Sequence, residues 1–224
     1  MASFEEWVKP GKRRYRRIKA GYQNHPQDPG NYTGGKIGVG IQAGTNMSIA
    51  APTLSNWRGH PVTAAEMQTL TEQEALQIYR QNYWNKILGT QIKSQTIADF
   101  LADMKSSGGG VKNMQRALND LGESLAIDGV VGPLTLGAIN RQIDKSVARL
   151  NNAFRKRQIE YYNSKQSFAK SVWLKSLDKD YPAMSETAEK AGLPEEYNNK
   201  TWIILGIGLG LLLLILLGWM LLKK

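Results

Sequence analysis

The chain has 224 residues with 29 Lys or Arg against 19 Asp or Glu, and a formal net charge of +10 at pH 7. It contains no cysteine, which excludes disulfides, thiol nucleophiles and cysteine-ligated zinc or iron–sulfur sites. The two histidines lie outside any H-E-x-x-H pattern, and neither a G-x-S-x-G nor a P-loop motif occurs. We therefore expect one soluble domain with additional segments, no metal and no cofactor.

Half of the net positive charge lies in the first twenty residues. They contain two acidic side chains and seven basic ones: Lys9, Lys12, Arg13, Arg14, Arg16, Arg17 and Lys19. Such a run suits an anionic partner, for example lipid headgroups, nucleic acid or the acidic polymers of a cell wall. A solvated helix face is the alternative interpretation.

Residues 21–52 are rich in Gly, Asn and Pro. Irregular loops longer than about 12–15 residues are usually functional or disordered. We predict a short β-hairpin here, through the sequence KIGVGIQ at residues 36–42. The aromatic residues Tyr22 and Tyr32 are candidates for stacking on sugar rings, with core packing as the alternative.

The rest of the soluble part is predicted to be helical. Two T-x-x-E capping boxes, at residues 63–66 and 71–74, mark helix starts. The second opens an amphipathic segment over residues 72–84, in which Trp84 is expected in the core. Further helices are predicted over residues 97–105, 111–121, 134–141 and 147–164.

The C-terminal end has the pattern of a membrane span. Residues 202–222 contain no charged side chain, and a helix of this length would cross about 30 Å at ~1.5 Å per residue. A juxtamembrane linker is predicted over residues 178–201. Gly206 and Gly210 form a small-xxx-small pair, which indicates a helix–helix dimer.

Several segments resemble the glycoside hydrolase family 108 muramidases. Residues 19–35 read K-A-G-Y and then N-H-P-Q-D-P-G-N-Y-T-G-G, close to the family's E-G-G-Y and N-x-P-x-D-P-G motifs. Residues 44–50 and 79–87 are similar to its G-T-x-x-G-I-S and Y-x-x-x-Y-W blocks. Residues 114–136 resemble the L-Q-x-x-L…D-G-x-x-G-P-x-T-L pattern of the peptidoglycan-binding part appended to these enzymes.

This resemblance implies a mainly α fold. It consists of a lysozyme-like domain with a small β-hairpin and Gly-rich loop over residues 1–109 and a peptidoglycan-binding helical part over residues 110–177. One transmembrane helix over residues 202–222 follows. The implied partner is the glycan strand of peptidoglycan.

The resemblance also locates the catalytic position. In the family, the Glu of E-G-G-Y donates a proton to the leaving glycosidic oxygen. Lys19 stands at that position here, and a lysine with an ordinary pKa near ~10.4 cannot readily replace a carboxylic acid. We therefore expect the site to be inactive.

Other polar and aromatic residues are candidates for contact with the glycan. The predicted ligand-binding residues are Tyr22, Asp28, Tyr32, Thr33, Asp103 and Asp128. Asp99 lies in the same helical block as Asp103, and Glu5 and Glu6 lie upstream of Lys19. No spacing identifies any of these acids as a replacement proton donor.

Three functions stay open. The first is a membrane-anchored, peptidoglycan-recognising protein with a degenerate muramidase fold. It would suit a bacteriophage virion with an internal membrane, acting in envelope penetration or capsid–membrane linkage, with residues 12–19 contacting capsid or other virion proteins. The second is an active peptidoglycan hydrolase that uses a displaced acid, and the third is a purely structural membrane protein. The expected location is a virion internal membrane or a bacterial inner membrane, reached without a recognisable secretory signal.

Overall fold

The computed structural model describes residues 1–107, 109–165 and 170–186. The chain divides into two compact units, with the boundary between Ser107 and Gly108. No helix among the described residues combines the length and the apolar character that a membrane crossing requires. The predicted span at 202–222, the pair Gly206 and Gly210, and most of the predicted linker lie outside the described residues.

The first unit is mainly helical. Its α-helices are α1 (Phe4–Val8), α2 (Arg13–Ile18), α3 (Ala51–Arg58), α4 (Ala64–Gln68), α5 (Glu72–Tyr79) and α6 (Gln95–Ser107). After α5 the chain continues as a π-helix, Arg80–Trp84, and two 3-10 turns, Asn85–Ile87 and Gly89–Gln91. The segment predicted as one helix over 72–84 is therefore helical throughout, but its hydrogen-bonding pattern changes after Tyr79.

A small antiparallel sheet accompanies these helices. Its strands β1 (Tyr22–Gln23), β2 (Thr45–Asn46) and β3 (Ile49–Ala50) lie in that order, and Tyr22 faces Asn46. The β2–β3 turn has positive φ at its two central residues, as a tight two-residue hairpin requires.

The hairpin predicted through residues 36–42 does not form as regular strands. That segment is the tip of a loop that an isolated bridge between Tyr32 and Gln42 closes. Three glycines of this 32–42 loop, at positions 35, 38 and 40, have positive φ, which an extended strand does not accommodate. The regular strand pairing instead joins β1, which precedes the loop, to β2 and β3, which follow it.

Of the two predicted capping boxes, only the one at Thr63 forms completely. At Thr63 the box is complete, because Glu66 donates its backbone N–H to the Thr63 hydroxyl and its carboxylate accepts from the Thr63 backbone N–H. Thr71 caps α5 by accepting from the backbone N–H of Glu74. The Glu74 carboxylate, however, accepts two hydrogen bonds from Arg58, at 2.9 and 2.7 Å. The ion pair with Arg58 thus takes the place of the hydrogen bond that the Thr71 backbone N–H would donate to the Glu74 carboxylate in a complete capping box.

Aromatic rings form the centre of the first unit. Trp7 and Trp84 stack with ring centroids 5.6 Å apart, and Phe4 and Tyr79 pack edge-on against Trp7 at 5.8 and 6.0 Å. The core position expected for Trp84 is confirmed, since it is fully buried. The guanidinium of Arg14 lies over the rings of Trp7 and Tyr79, which places a charge inside this cluster.

Asp103 on α6 neutralises that charge. Its fully buried carboxylate accepts from Trp7 Nε1 at 3.0 Å and from Arg14 Nε and Nη2 at 3.0 and 2.7 Å, and Arg13 lies 3.2 Å away. Burial alone would lower the pKa of Arg14, but the charges and hydrogen bonds of Asp103 and Tyr79 together outweigh it and raise that pKa above its ordinary value. This carboxylate therefore joins α1, α2 and α6.

The basic run on α2 is largely committed to contacts within the first unit. Its ion pairs join Lys12 to Asp99, Arg13 and Arg14 to Asp103, and Lys19 to Glu72. Arg16 donates to the carbonyl of Gly11 at 2.8 Å. Segment 12–19 is therefore not simply a solvated helix face, and its contact with other virion proteins stays a prediction.

The second unit is a helical bundle. Its helices are α7 (Gly110–Asp120), α8 (Pro133–Lys145), α9 (Val147–Asn163) and α10 (Lys170–Asp180). The first three match the predicted helices, with α8 running four residues further than expected. Met114, Leu118, Leu150 and Phe154 are buried between them. A buried hydrogen bond, 2.9 Å long, also joins α7 to α9.

The buried carboxylate gives a direct test of the first unit. We expect Asp103→Asn to lower the free energy of unfolding by about 3–5 kcal/mol, because it leaves the buried Arg14 charge without its partner. The measurement is chemical denaturation followed by tryptophan fluorescence. Glu5→Gln is the matched control, since its ion pair with Arg80 is largely exposed and contributes at most about 1 kcal/mol. Equal losses in the two variants would contradict the central role of Asp103.

Candidate functional site

Lys19 lies at the C-terminal end of α2, just before β1. Its Nζ is 2.5 Å from Oε2 of Glu72, the first residue of α5, and the two side chains are 46% and 45% exposed. The hydrogen bond to Glu72 raises the pKa of Lys19 above its ordinary value, so the ammonium is the stable form at neutral pH. A solvent-accessible ion pair thus occupies the position at which the muramidases have their acid.

Glu72 is a residue that the sequence analysis missed as a site residue. In the sequence it reads as an ordinary acid in the first turn of a helix, where acidic residues are favoured by the helix dipole. No local pattern relates it to Lys19, which lies 53 positions away.

Helix α5 holds this region at both of its ends. Glu72 at its start binds Lys19, and Tyr79 at its end donates a hydrogen bond to the carbonyl of Met47 at 2.5 Å. The backbone N–H of Met47 in turn donates to the carbonyl of Gly21, which follows the Lys19 position by two residues. The α2–β1 junction is therefore fixed against α5 and the sheet.

Asn31 organises the Gly-rich loop beside this junction. Its buried side chain donates to the Gln23 side chain and to the carbonyl of His25, both at 3.0 Å, and accepts from Thr45 at 2.8 Å. Its carbonyl oxygen accepts from two successive backbone amides at residues 43–44. The Asn of the D-P-G-N motif is thus a structural centre of the loop, which its polarity alone did not indicate.

Asp28 shapes the same loop. One carboxylate oxygen accepts from the backbone N–H of Gly30 at 2.9 Å, which caps the 3-10 turn Pro29–Asn31. The other accepts from the Gln23 side chain at 3.0 Å. Asp28 is only partly buried, so its role as a ligand contact stays a prediction beside this structural role.

The three other predicted site residues of the loop differ in accessibility. Tyr32 is buried, and its hydroxyl lies 3.0 Å from the carbonyl of Pro26, so its ring is a packing element and is not available for stacking on a sugar. Thr33 accepts from the backbone N–H of Ile41 at 2.9 Å. Tyr22 is partly exposed, and its hydroxyl donates to the carbonyl of Ala43 at 3.1 Å. Of the two tyrosines, only Tyr22 keeps an accessible ring.

The remaining predicted ligand residues lie elsewhere. Asp103 is fully buried and bonded to protein donors, so the expected ligand contact is replaced by the structural role described above. Asp128 is exposed and belongs to the second unit, where its Oδ1 accepts from Gln115 at 2.7 Å. Asp103 is therefore a core residue of the first unit, and Asp128 belongs to a loop of the second.

Asp99 has a strongly perturbed carboxyl group. Its two oxygens accept from Gln95 at 2.6 Å and from Lys12 at 3.0 Å, and the residue is buried. Burial raises the pKa of Asp99 to about 6, although the charge of Lys12 opposes this change. Perturbed acids mark functional sites, but a buried acid with both oxygens bonded to protein donors is a structural group.

The described residues contain no group of three or more His, Asp or Glu side chains that could hold a metal ion. What the first unit does contain is a lysozyme-like helical body, a small sheet, and a Gly-rich loop beside an altered acid position. The second unit is a separate helical bundle that presents the D-G-x-x-G-P loop.

Comparison with known proteins agrees with this class. Residues 16–109 match the family model described as Glycosyl hydrolase 108, and residues 109–171 match the model described as Predicted Peptidoglycan domain. A solved structure titled "Structure of Brucella abortus SagA" is 28% identical with a TM-score of 0.62, over 75% of this chain and 88% of that chain. None of the curated proteins gives a significant match.

Residues 16–109 are therefore a glycosyl hydrolase 108 domain with a lysozyme-like fold, and a peptidoglycan domain follows over residues 109–171. The resemblance inferred from the motifs is confirmed. Peptidoglycan is supported as its partner by the second of these domains.

The raised pKa of Asp99 predicts a pH-dependent stability. Folding shifts this pKa from 3.8 to about 6. The stability that the protonated Asp99 side chain contributes is therefore fully present below pH 3.8 and is lost as the pH rises through about 6. We expect wild type to gain about 1 kcal/mol relative to Asp99→Asn between pH 7 and pH 5. Denaturant titrations of the two proteins at several pH values measure this difference. A difference that stays constant over that range would contradict the assignment.

Proposed function

We propose that the protein binds peptidoglycan without cleaving it. The observation that carries the proposal is the ion pair between Lys19 and Glu72 at the position of the family's proton donor. The loop that follows keeps its motif and its internal hydrogen bonds around Asn31. A site that has lost its acid but retains its scaffold is suited to recognition.

The chemistry of glycoside cleavage explains why Lys19 opposes catalysis. The reaction needs a group that is protonated at first and can then act as a base, and its transition state resembles an oxocarbenium cation. An ammonium held charged by Glu72 is a poor proton donor at neutral pH. Its positive charge also repels a developing cation nearby. Both effects act against bond cleavage.

An active hydrolase is the second candidate, because Glu72 brings a carboxylate to the altered position. Its Oε2 is bonded to the Lys19 ammonium at 2.5 Å, and Lys19, not Glu72, stands at the family's acid position. We therefore rank this function below binding alone. The experiment below separates the two.

We expect wild type to sediment with purified sacculi and to release no soluble muropeptides. Lys19→Glu combined with Glu72→Gln should gain cleavage at least about 100-fold above background, since a positioned general acid contributes ~10²–10⁴-fold. The second change is needed because Lys19→Glu alone would place two carboxylates against each other. Chromatography of released muropeptides measures the activity.

The matched control is Lys19→Gln with Glu72→Gln, which removes the ion pair without supplying an acid and should remain inactive. Cleavage by wild type that Glu72→Gln abolishes would overturn the proposal and assign an active enzyme. Wild type that neither binds nor cleaves sacculi would instead favour the purely structural function.

We further propose that residues 202–222 anchor the protein in a bilayer. Supporting this are the 21 uncharged positions, the tryptophans Trp202 and Trp219 near the two ends, and the flanking lysines. A membrane anchor joined to a peptidoglycan-binding part suits the internal membrane of a bacteriophage virion, in envelope penetration or capsid–membrane linkage. A bacterial inner membrane is the alternative location, and co-fractionation with virions or with host membranes distinguishes the two.

The anchor is tested by partition between detergent and aqueous phases. We expect the full chain to enter the detergent phase and a variant without residues 202–224 to remain in the aqueous phase. Leu213→Arg should also reduce membrane insertion, because an arginine at the centre of a span costs about 2.5–3.5 kcal/mol. Leu213→Ala is its matched control. A truncated protein that still enters the detergent phase would contradict the anchor.

A further inference from the structure

An exposed apolar group lies on the second unit. Among the described residues, eight large apolar side chains are exposed, and three of them fall between positions 127 and 134. They are Ile127 at 41%, Val130 at 60% and Leu134 at 80% exposure. We call residues 127–134 the DG loop surface. Isolated exposed apolar residues are normal, but a group of them in one short segment marks an interaction site.

A buried glutamine fixes the shape of this loop. Gln115 on α7 donates to Asp128 at 2.7 Å and to the carbonyl of Val130 at 3.1 Å, and its oxygen accepts from the backbone N–H of Gly129 at 2.9 Å. Asp128 also accepts from the backbone N–H of Val130 at 2.8 Å. Val131 points into the core while its neighbour Val130 points outward. The loop therefore presents its apolar side chains from a backbone held by hydrogen bonds.

Two charges of opposite sign border the apolar group. The aliphatic part of Lys112 runs alongside Gly129, so closely that a side chain at that glycine would contact it. The hydrogen bond from Gln115 lowers the pKa of Asp128, and the positive charge of Lys112 lowers it further. Asp128 is thus an exposed carboxylate beside an exposed ammonium.

We propose that the DG loop surface binds the peptide stems of peptidoglycan rather than its glycan strands, an inference that rests on the proposed function. Glycan recognition commonly uses flat aromatic side chains, and this surface has only aliphatic ones. Peptide stems carry alanine methyl groups, free carboxylates and, in many bacteria, the amine of a diamino acid. These groups complement the side chains of Val130 and Leu134, the ammonium of Lys112 and the carboxylate of Asp128.

The rigidity of the loop supports this assignment. A surface that is already ordered loses less conformational entropy when it binds than a flexible one does. Hydrogen bonds from Gln115 supply that order, and they also leave the outward-facing groups uncovered. Gln115 thus acts as a positioning residue, while Lys112, Asp128, Val130 and Leu134 form the contact surface.

The test uses the full chain and two probes: intact sacculi, and glycan strands from which an amidase has removed the stems. We expect Val130→Ser with Leu134→Ser to weaken binding to sacculi about 10-fold, and to leave binding to the stripped strands unchanged. Val172→Ser is the matched control, since Val172 is 59% exposed on α10 of the same unit. A soluble stem tetrapeptide should compete with sacculi for wild type and not for the double variant.

Lys112→Glu provides an independent variant, because it changes only an exposed charge and should weaken the same stem-dependent binding. Thermal unfolding shows that each variant is folded. Equal weakening on both probes would assign the surface to the glycan and overturn the proposal, as would variants that bind like wild type. Wild type that binds neither probe would instead overturn the proposed function itself.

Discussion

The first unit depends on the neutralisation of one buried charge. Arg14 lies among aromatic rings, where an unpaired guanidinium would be strongly destabilising. Asp103 compensates it and also accepts from Trp7, so α1, α2 and α6 must meet at one carboxylate. This arrangement holds the first two residues of α2, the helix at whose C-terminal end Lys19 lies. A stretch that reads as a binding surface for anions is thereby used mainly to hold the fold together.

The sequence predicts the helical architecture well because that information is local. Apolar spacing and capping residues locate α4 to α9 but not α3 or α10, and Thr63 forms the box that its spacing predicts. The family resemblance identifies the altered acid position at Lys19. Its motifs are long and contain glycines and prolines at defined positions, which makes chance agreement improbable. The mainly α fold class could therefore be predicted without coordinates.

The partners of the site residues could not be predicted, because they come from distant parts of the chain. Glu72 binds Lys19 across 53 positions of the sequence, and Asp103 pairs with Arg14 across 89. A motif also does not separate residues that bind a ligand from residues that support the backbone. Tyr32 and Asn31 are adjacent in one motif, and the structure places both inside the loop.

The π-helix at Arg80–Trp84 changes the direction in which successive side chains point around the helix axis. Tyr79 and Trp84 are both buried although five positions separate them, a spacing that an ordinary α-helix would direct to different faces. The wider turn absorbs one additional residue and returns Trp84 to the side of Tyr79. Losing one residue from this turn would therefore convert it to an ordinary α-helix without displacing the core. The tryptophan would then follow Tyr79 by four positions, about 400° along the helix, and would stay on the same side.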